Sequence, residues 1–332
     1  MNQQSDIHSR LGDPEEAQRF YEARYQDGYM ETWPAWKLER VRELISRLPL
    51  PETGEALDFG CGNGVFTRVL VDALPGWSIF GTDISKTALA NAQASVSGAS
   101  FFCLDETREY SNRFDFVFTH HVLEHVAELD DALEEIDGLL KGQSAVFHIL
   151  PCGNPGSFEH NLCLLRAGGI DAGKGGRFYF EDVGHVRRLR SDDLVSRYTT
   201  RGFSLVRESY ACQEAGAIEW ITAAGTGFVA RLTDPDAAVD ASAKQRLRSL
   251  RRKLLPVAFV REVKRQFEYR IRQGNLRAVT YLKLFMALPI CLVGWFVERS
   301  VLAASRREWV TRNRESGGSE MYLFFVRKDT RP

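Results

Sequence analysis

The sequence turns on Asp58-Phe59-Gly60-Cys61-Gly62-Asn63-Gly64, followed nineteen residues later by Asp83. Ala56-Leu57-Asp58-Phe59 reads as the end of a buried strand, and Val65-Phe66-Thr67-Arg68-Val69-Leu70-Val71 as a helix with an apolar face. The glycines between them permit a tight turn and a close approach of backbone to ligand. Trp77-Ser78-Ile79-Phe80-Gly81-Thr82-Asp83 reads as the next strand. Its terminal carboxylate is placed to accept hydrogen bonds from a ribose diol, each worth about 1.5–3 kcal/mol. Strand, turn, helix, strand and acid therefore follow the order that a nucleotide-type site requires. A dinucleotide fingerprint would put its third glycine at position 65, which is Val65.

Outward from this turn, strands and helices alternate. Strands are predicted at 55–59, 77–82, 100–104, 114–119 and 144–150, with helices at 64–74, 85–97 and 128–141. Such alternation implies a parallel sheet covered by helices, with ligands beyond the carboxyl ends of the strands. The glycine turn, Asp83, Asp105 and His120 all fall at those ends. Upstream, residues 14–48 read as helical, with Asp13-Pro14 as the start signal. Downstream, 151–184 is glycine-rich, and a connection of that length reads as a functional lid. A helix at 191–201, a strand at 203–209 and a last strand at 321–326 complete the alternation.

The 332 residues, 44% hydrophobic and 26% charged, have the composition of a folded soluble protein. Six cysteines without paired spacing read as reduced thiols of a cytosolic protein. No metal is assigned: the spacing His121-x-x-Glu124-His125 is common in turns that hold none. The first residues lack an apolar core, so no signal peptide is expected. The net charge of −1 is uneven, since residues 244–277 hold twelve Lys/Arg against Glu262 and Glu268. Apolar positions at helical spacing (Leu247, Leu250, Leu254, Val260, Val263, Phe267, Ile271) oppose this basic face, the pattern of a helix lying on an anionic membrane surface. The run Val279–Val297, whose only charge is Lys283, follows. A single crossing would strand the last strand on the far side. That leaves an interfacial helix, a re-entrant hairpin bent near Pro289 and Gly294, or a helix buried in protein. No nucleic-acid motif appears, and none is expected as a partner.

The motif acid-x-Gly-x-Gly-x-Gly at 58–64 resembles that of the class I S-adenosylmethionine-dependent methyltransferases. The resemblance extends through Phe114-Asp115-Phe116-Val117-Phe118-Thr119-His120-His121-Val122-Leu123-Glu124-His125-Val126, where Leu-Glu-His-Val is frequent in the small-molecule and ubiquinone-type O-methyltransferase branch. It continues in Leu139-Leu140-Lys141-Gly142, Gly184-His185, Asp192-Asp193-Leu194 and Arg201-Gly202-Phe203, and covers about 35–210 and 319–328. It implies a Rossmann-like α/β sheet of seven strands, the last antiparallel, with a helical insert before that last strand. The expected organisation is 1–50 as N-terminal helices covering the cofactor site, 51–210 as the cofactor-binding core, 211–318 as the basic and apolar insert, and 319–332 as last strand and tail.

The resemblance also implies roles. Asp58 orients the turn and meets the cofactor's amino group through water. The backbone at Gly60 and Gly62 lies against the methionine part, and Cys61 and Gly64 are cofactor-binding residues of the same turn. Asp83 binds the ribose hydroxyls, Asp105 the adenine amino group, and Ile84 or Leu104 flanks the ring. Of His120 and His121 one points into the site, or His120 instead contacts the methionine moiety through its backbone. Tyr21, Tyr25, Trp33 and Trp36 either cover the cofactor pocket or pack an N-terminal helix on the sheet. An alcohol or phenol acceptor needs a base, for which histidine is best matched near neutral pH. His185 and His121 are the candidates, and His125 reads as structural.

The expected function is S-adenosylmethionine-dependent O-methylation of a small-molecule, glycan or lipid-linked acceptor, of glycan-precursor or quinone type, by a cytoplasmic enzyme peripheral to the inner membrane face. Two rivals stand: a soluble small-molecule methyltransferase whose insert forms a dimer, and a non-catalytic cofactor-binding scaffold.

Overall fold

The computed structural model describes residues 11–273 and 278–327, and the side chains of 273–285 lie outside the described residues. Its first helix starts where the sequence predicts. Asp13 caps α1 (Pro14–Gln26) by accepting the N–H groups of Glu15 at 2.9 Å and Glu16 at 3.1 Å. Then come α2 (Ala35–Ser46), β1 (Glu55–Phe59), α3 (Val65–Ala73), β2 (Ser78–Asp83), α4 (Lys86–Ser95), β3 (Ala99–Cys103), β4 (Phe114–His120), α5 (Leu129–Leu139) and β5 (Leu140–Pro151). After an excursion described below, α7 (Ser191–Thr200), β8 (Phe203–Ala211) and β9 (Glu320–Arg327) return to the sheet.

The sheet order is β3-β2-β1-β4-β5-β9-β8. β1 to β5 pair in parallel, and the sheet is mixed through its last, antiparallel strands. This is the seven-stranded arrangement that the resemblance implies. The central strands are buried and nearly all apolar: Leu57, Phe116, Val117, Phe118, Val146, Ile149, Leu323 and Phe324 are inaccessible to solvent. Each such side chain contributes about 1.5–3 kcal/mol by leaving water. β5 begins directly at the end of α5, four residues earlier than predicted, with an irregular register between Phe114 and Phe116. The polar Lys141-Gly142-Gln143 hides this first part of the strand from a reading by hydrophobicity.

The chain divides into two compact units. The first runs up to Pro151 and adds Asp182–Glu208 and the chain from Met321. The second comprises Cys152–Glu181 and Ser209–Glu320. This corrects the expected division at 210, since the glycine-rich stretch folds largely with the insert. The reason is apolar burial. Leu162, on α6 (Phe158–Leu164), packs in one core with Ala217 and Ile221 of α8 (Ala215–Ala223), Val229 and Leu232 of α9 (Thr226–Leu232), and Leu247, Leu254 and Ala258 of α10 (Ala241–Gln273). The same stretch forms a small antiparallel pair, β6 (Ile170–Asp171) with β7 (Arg177–Phe178).

Within the second unit α10 packs against α11 (Ala278–Arg312). Lys264 Nζ lies 2.6 Å from Glu298, and Trp295 Nε1 donates to Glu268 at 2.7 Å. Gly294 sits where the two backbones meet, and a Cβ there would come within 2.5 Å of the Val260 carbonyl oxygen. α11 passes through Pro289 and Gly294 unbroken, so of the three alternatives the re-entrant hairpin bent at those residues is not the one that forms. Of the apolar run, Val279–Phe285 lies outside the residues whose side chains are described. Polar ties fix the hairpin to α8. Arg261, almost wholly buried, pairs with Glu219 at 2.8 Å and donates to Thr222 Oγ1 at 2.7 Å.

The buried Glu308 accepts the N–H groups of Glu214, Ala215 and Gly216 at 2.8, 2.6 and 3.0 Å. These are donors at the start of α8 that no turn of that helix can satisfy. Glu308→Ala is expected to lower stability by about 2–3 kcal/mol, read as a fall in the urea midpoint.

Candidate functional site

The glycine turn is built by backbone geometry that side chains disfavour. Gly60 and Gly62 have φ of 77° and 51°, in the left-handed region. A Cβ on Gly60 would lie 2.5 Å from Val122, and one on Gly62 2.7 Å from the Tyr25 hydroxyl. Both glycines therefore leave room for the walls of a cavity of about 280 Å³, near the lower end of the ~300–1,000 Å³ typical of ligand pockets. Of the expected cofactor residues, Asp58, Gly60, Cys61, Gly62, Asp83, Ile84 and His120 line this cavity, as do His121 and His185.

Two expected residues do not. Gly64 caps the start of α3 at φ 77°, packed against Val96 and Ala92, and acts on the fold rather than the cavity. Asp105 is exposed on a short 3-10 helix, Leu104–Tyr110, which turns Leu104 towards the cavity and Asp105 towards solvent. Glu106 is held away by accepting the Cys103 N–H at 2.8 Å. The acid that does line this side is Glu135 of α5.

Two carboxylates are buried under the turn. Asp83 accepts the N–H of Gly62 at 2.8 Å and that of Ser85 at 2.9 Å. Asp58 accepts the Thr67 hydroxyl at 2.6 Å. Burial raises Asp83 to about 6, against the opposing pull of the Ser85 and Gly62 N–H groups. Burial likewise raises Asp58 to about 7; the Thr67 bond opposes this and the charge of Asp83 adds to it.

Helix α1 contributes the facing wall. None of its residues is buried, so polar contacts hold it. Glu22 accepts from Ser85 Oγ at 3.1 Å and from the Lys86 N–H at 2.6 Å. Arg24 makes a bidentate pair with Asp182 at 2.7 Å for both bonds, and its guanidinium lies 3.6 Å from the centre of the Tyr29 ring. Tyr21, Tyr25, Tyr29 and Trp33 line the cavity; Trp36 does not. Tyr29 had no sequence signal beyond being one more aromatic in the segment.

The histidines gather at the end of β4. His120 stacks on Phe66 with ring centroids 3.7 Å apart and meets Trp33 edge-on at 4.7 Å. His121 has a φ of 55°, a strained value for a side-chain-bearing residue and one that clusters at functional sites. Its N–H donates to the Ile149 carbonyl at 2.8 Å, and its Nδ1 lies 3.0 Å from Oε1 of Glu124. His125, read as structural from sequence, also lines the cavity, with Nδ1 2.9 Å from the Tyr21 hydroxyl. Burial lowers His125 to about 4, so it is neutral at working pH. Burial alone would raise Glu124, but His121, then His125 and His185, hold it down at about 2.

Comparison with known proteins bears on what such a cavity holds. Residues 31–208, more than half of the chain, match a family model described as a methyltransferase domain. A trans-aconitate 2-methyltransferase of Variovorax paradoxus is 26% identical over 58% of this chain and 78% of its own length. A malonyl-[acyl-carrier protein] O-methyltransferase of Magnetococcus marinus is 35% identical over 31% of this chain and 40% of its own length. Among solved structures, phosphoethanolamine N-methyltransferase 2 of Haemonchus contortus in complex with S-adenosyl-L-methionine is 14% identical, with a TM-score of 0.45 over 87% of this chain and 52% of its own.

The raised carboxyls carry a sign for stability. Between the ordinary carboxylate range and about 7, folded Asp58 and Asp83 keep protons that the unfolded chain has released. They therefore oppose folding increasingly as pH rises through that window. The urea midpoint of the ligand-free protein, compared at about pH 5.5 and about pH 8, is expected to vary less with pH in Asp58→Asn than in the parent.

Proposed function

Because the chain belongs to the methyltransferase-domain family and is an S-adenosylmethionine-dependent methyltransferase, we propose that it methylates an uncharged hydroxyl of a membrane-associated or lipid-linked acceptor. Lipid-linked glycan precursors and quinone intermediates are of this class. One observation carries the reading. The cavity that holds Asp58 and Asp83 is lined by His120, His121, His125 and His185, and among the described lining residues there is neither Lys nor Arg. A polycarboxylate acceptor calls for guanidinium or ammonium partners. A neutral hydroxyl calls for a proton acceptor, which imidazole supplies.

The residues fit the cofactor. S-adenosylmethionine supplies a methyl carbon on a sulfonium, with a neutral thioether as leaving group. A carboxylate offers about four lone-pair sites, so Asp83, with two N–H bonds already made, keeps capacity for a ribose diol. Asp58 would meet the cofactor's ammonium through water, and the tyrosine and tryptophan rings suit a cationic sulfur. His121 takes the acceptor's proton as its oxygen forms the new bond to carbon. The buried Glu124, 3.0 Å from Nδ1, stabilises the imidazolium that results. Holding the partners in line and excluding water supplies much of the rate.

Support for a membrane-bound acceptor comes from the hairpin. Phe259, Met286, Leu292, Val293 and Phe296 are exposed, Phe296 by 72%, on helices that also expose Arg252, Lys253, Arg265, Arg270 and Arg272. Residues Met286–Arg312 are long and apolar enough to span a bilayer by length and composition. The chain leaves the sheet after β8 and rejoins it at β9, between β5 and β8. The segment thus starts and ends on one side of any bilayer, which suits a hairpin dipping into the headgroup layer.

With labelled cofactor and a membrane lipid extract as acceptor source, His121→Ala is expected to slow label transfer by about 10²- to 10⁴-fold while calorimetry shows S-adenosylhomocysteine binding retained. Unchanged transfer would remove His121 from the chemistry. The full chain is expected to float with anionic liposomes, and Val293→Ser with Phe296→Ser to weaken that. Unchanged flotation in the double variant would refute the membrane contact, and a loss of self-association instead would assign the hairpin to a second copy of the chain.

A further inference from the structure

Glu124 is wholly buried, and neither of its oxygens receives a hydrogen bond of ordinary geometry among the described residues. Its nearest charge partner, His121, is close enough at 3.0 Å for an ionic contact. A buried carboxylate is stable only when positive charge compensates it, and a carboxylate has lone pairs for more than one cationic partner. The surroundings supply ligands rather than further fixed charges. The ring nitrogens of His125 and His185 and a Glu124 oxygen all lie within 4.8 Å of one another. The two imidazoles meet edge-on, with centroids 4.6 Å apart and planes at 79°.

Backbone bonds bring this trio together. The Val186 N–H donates to the Glu124 carbonyl at 2.8 Å, and the His185 N–H to the Asp182 carbonyl at 3.0 Å. Asp182 is itself fixed by the bidentate pair with Arg24. The Tyr21 hydroxyl lies 2.9 Å from Nδ1 of His125 and holds that ring in place. Such an outer partner is what sets the tautomer and orientation of a metal-bound histidine.

We propose that Glu124, His125 and His185 bind a divalent transition-metal cation, of the zinc, cobalt or manganese type, in the wall of the cavity. Two imidazoles and one carboxylate form a donor set suited to such ions, which then keep positions open towards the cavity. His121 stays beside the ion on the shared carboxylate. Bound there, the ion would draw electron density from an acceptor hydroxyl and ease proton loss to His121. That role rests on the proposed O-methylation; the binding itself does not. Sequence spacing hid the site, because His185 lies sixty residues beyond His125.

The test is a titration of the chelator-stripped full chain with Co²⁺, followed by visible d–d absorption and by calorimetry. One equivalent is expected to bind. Glu124→Gln and His185→Ala are each expected to weaken it by about a hundredfold or more, and Tyr21→Phe by about tenfold. His121→Ala is expected to keep the absorption. Where Glu124→Gln fails to fold, Glu124→Asp serves, with a shifted spectrum expected. No d–d absorption with the parent protein, or an unaltered spectrum in Glu124→Gln and His185→Ala, overturns the site. S-adenosylhomocysteine calorimetry on the same samples keeps the two readings apart. Its failure with the parent protein sinks the cofactor reading and leaves the cobalt result standing.

Discussion

Two buried carboxylates hold the sheet unit's functional end together. Asp83 takes the N–H of Gly62 and so ties the turn after β1 to the end of β2, while the Thr67 hydroxyl ties the start of α3 to Asp58 on β1. An unsatisfied carboxylate at that depth costs several kcal/mol, so the turn, the helix start and the strand end are constrained as one piece. Gly60 and Gly62 take their positive φ within this turn, where the Gly60 and Cys61 N–H groups donate to the Thr82 carbonyl and the Gly62 N–H to Asp83. The raised protonation ranges of Asp58 and Asp83 are its cost: burial holds the turn at some expense of stability at neutral pH.

The second unit uses the same physics for a different end. Glu308 receives the otherwise unpartnered N–H groups at the start of α8, and Arg261 pairs with Glu219 beneath the hairpin. Both ties are buried, where breaking one partner is expensive. They fix α10 and α11 to α8 by contacts that an apolar surface alone would not orient. The hairpin is thereby held with Met286, Val293 and Phe296 in solvent, an arrangement that its own composition would otherwise oppose.

Much of the sheet unit was legible from residue order. The strand-turn-helix-strand order from Asp58 to Asp83, the strand runs and the start of α1 at Asp13 follow the sequence reading, because each depends on neighbours a few residues away. Asp105 was misplaced: whether a loop residue faces in or out depends on how the loop coils, and here a 3-10 turn points Leu104 inward instead. His125 was read as structural because nothing local reveals that Tyr21, far upstream, reaches its ring. The glycine-rich 151–184 stretch read as a functional lid between core elements. Only the apolar partners offered to Leu162 by α8, α9 and α10 show which unit it joins.

By itself, then, the sequence determined the glycine turn, the alternation that makes the sheet, and the basic and apolar character of the insert. All of these are set by covalent spacing and by the periods of helix and strand. Tertiary structure alone decided the convergence of Tyr21, Glu124, His125 and His185, the aromatic wall from α1, and the division into two units. Residues far apart in the chain meet only when packing brings their elements together, and a carboxylate or an imidazole carries no mark in sequence of the partner it will face.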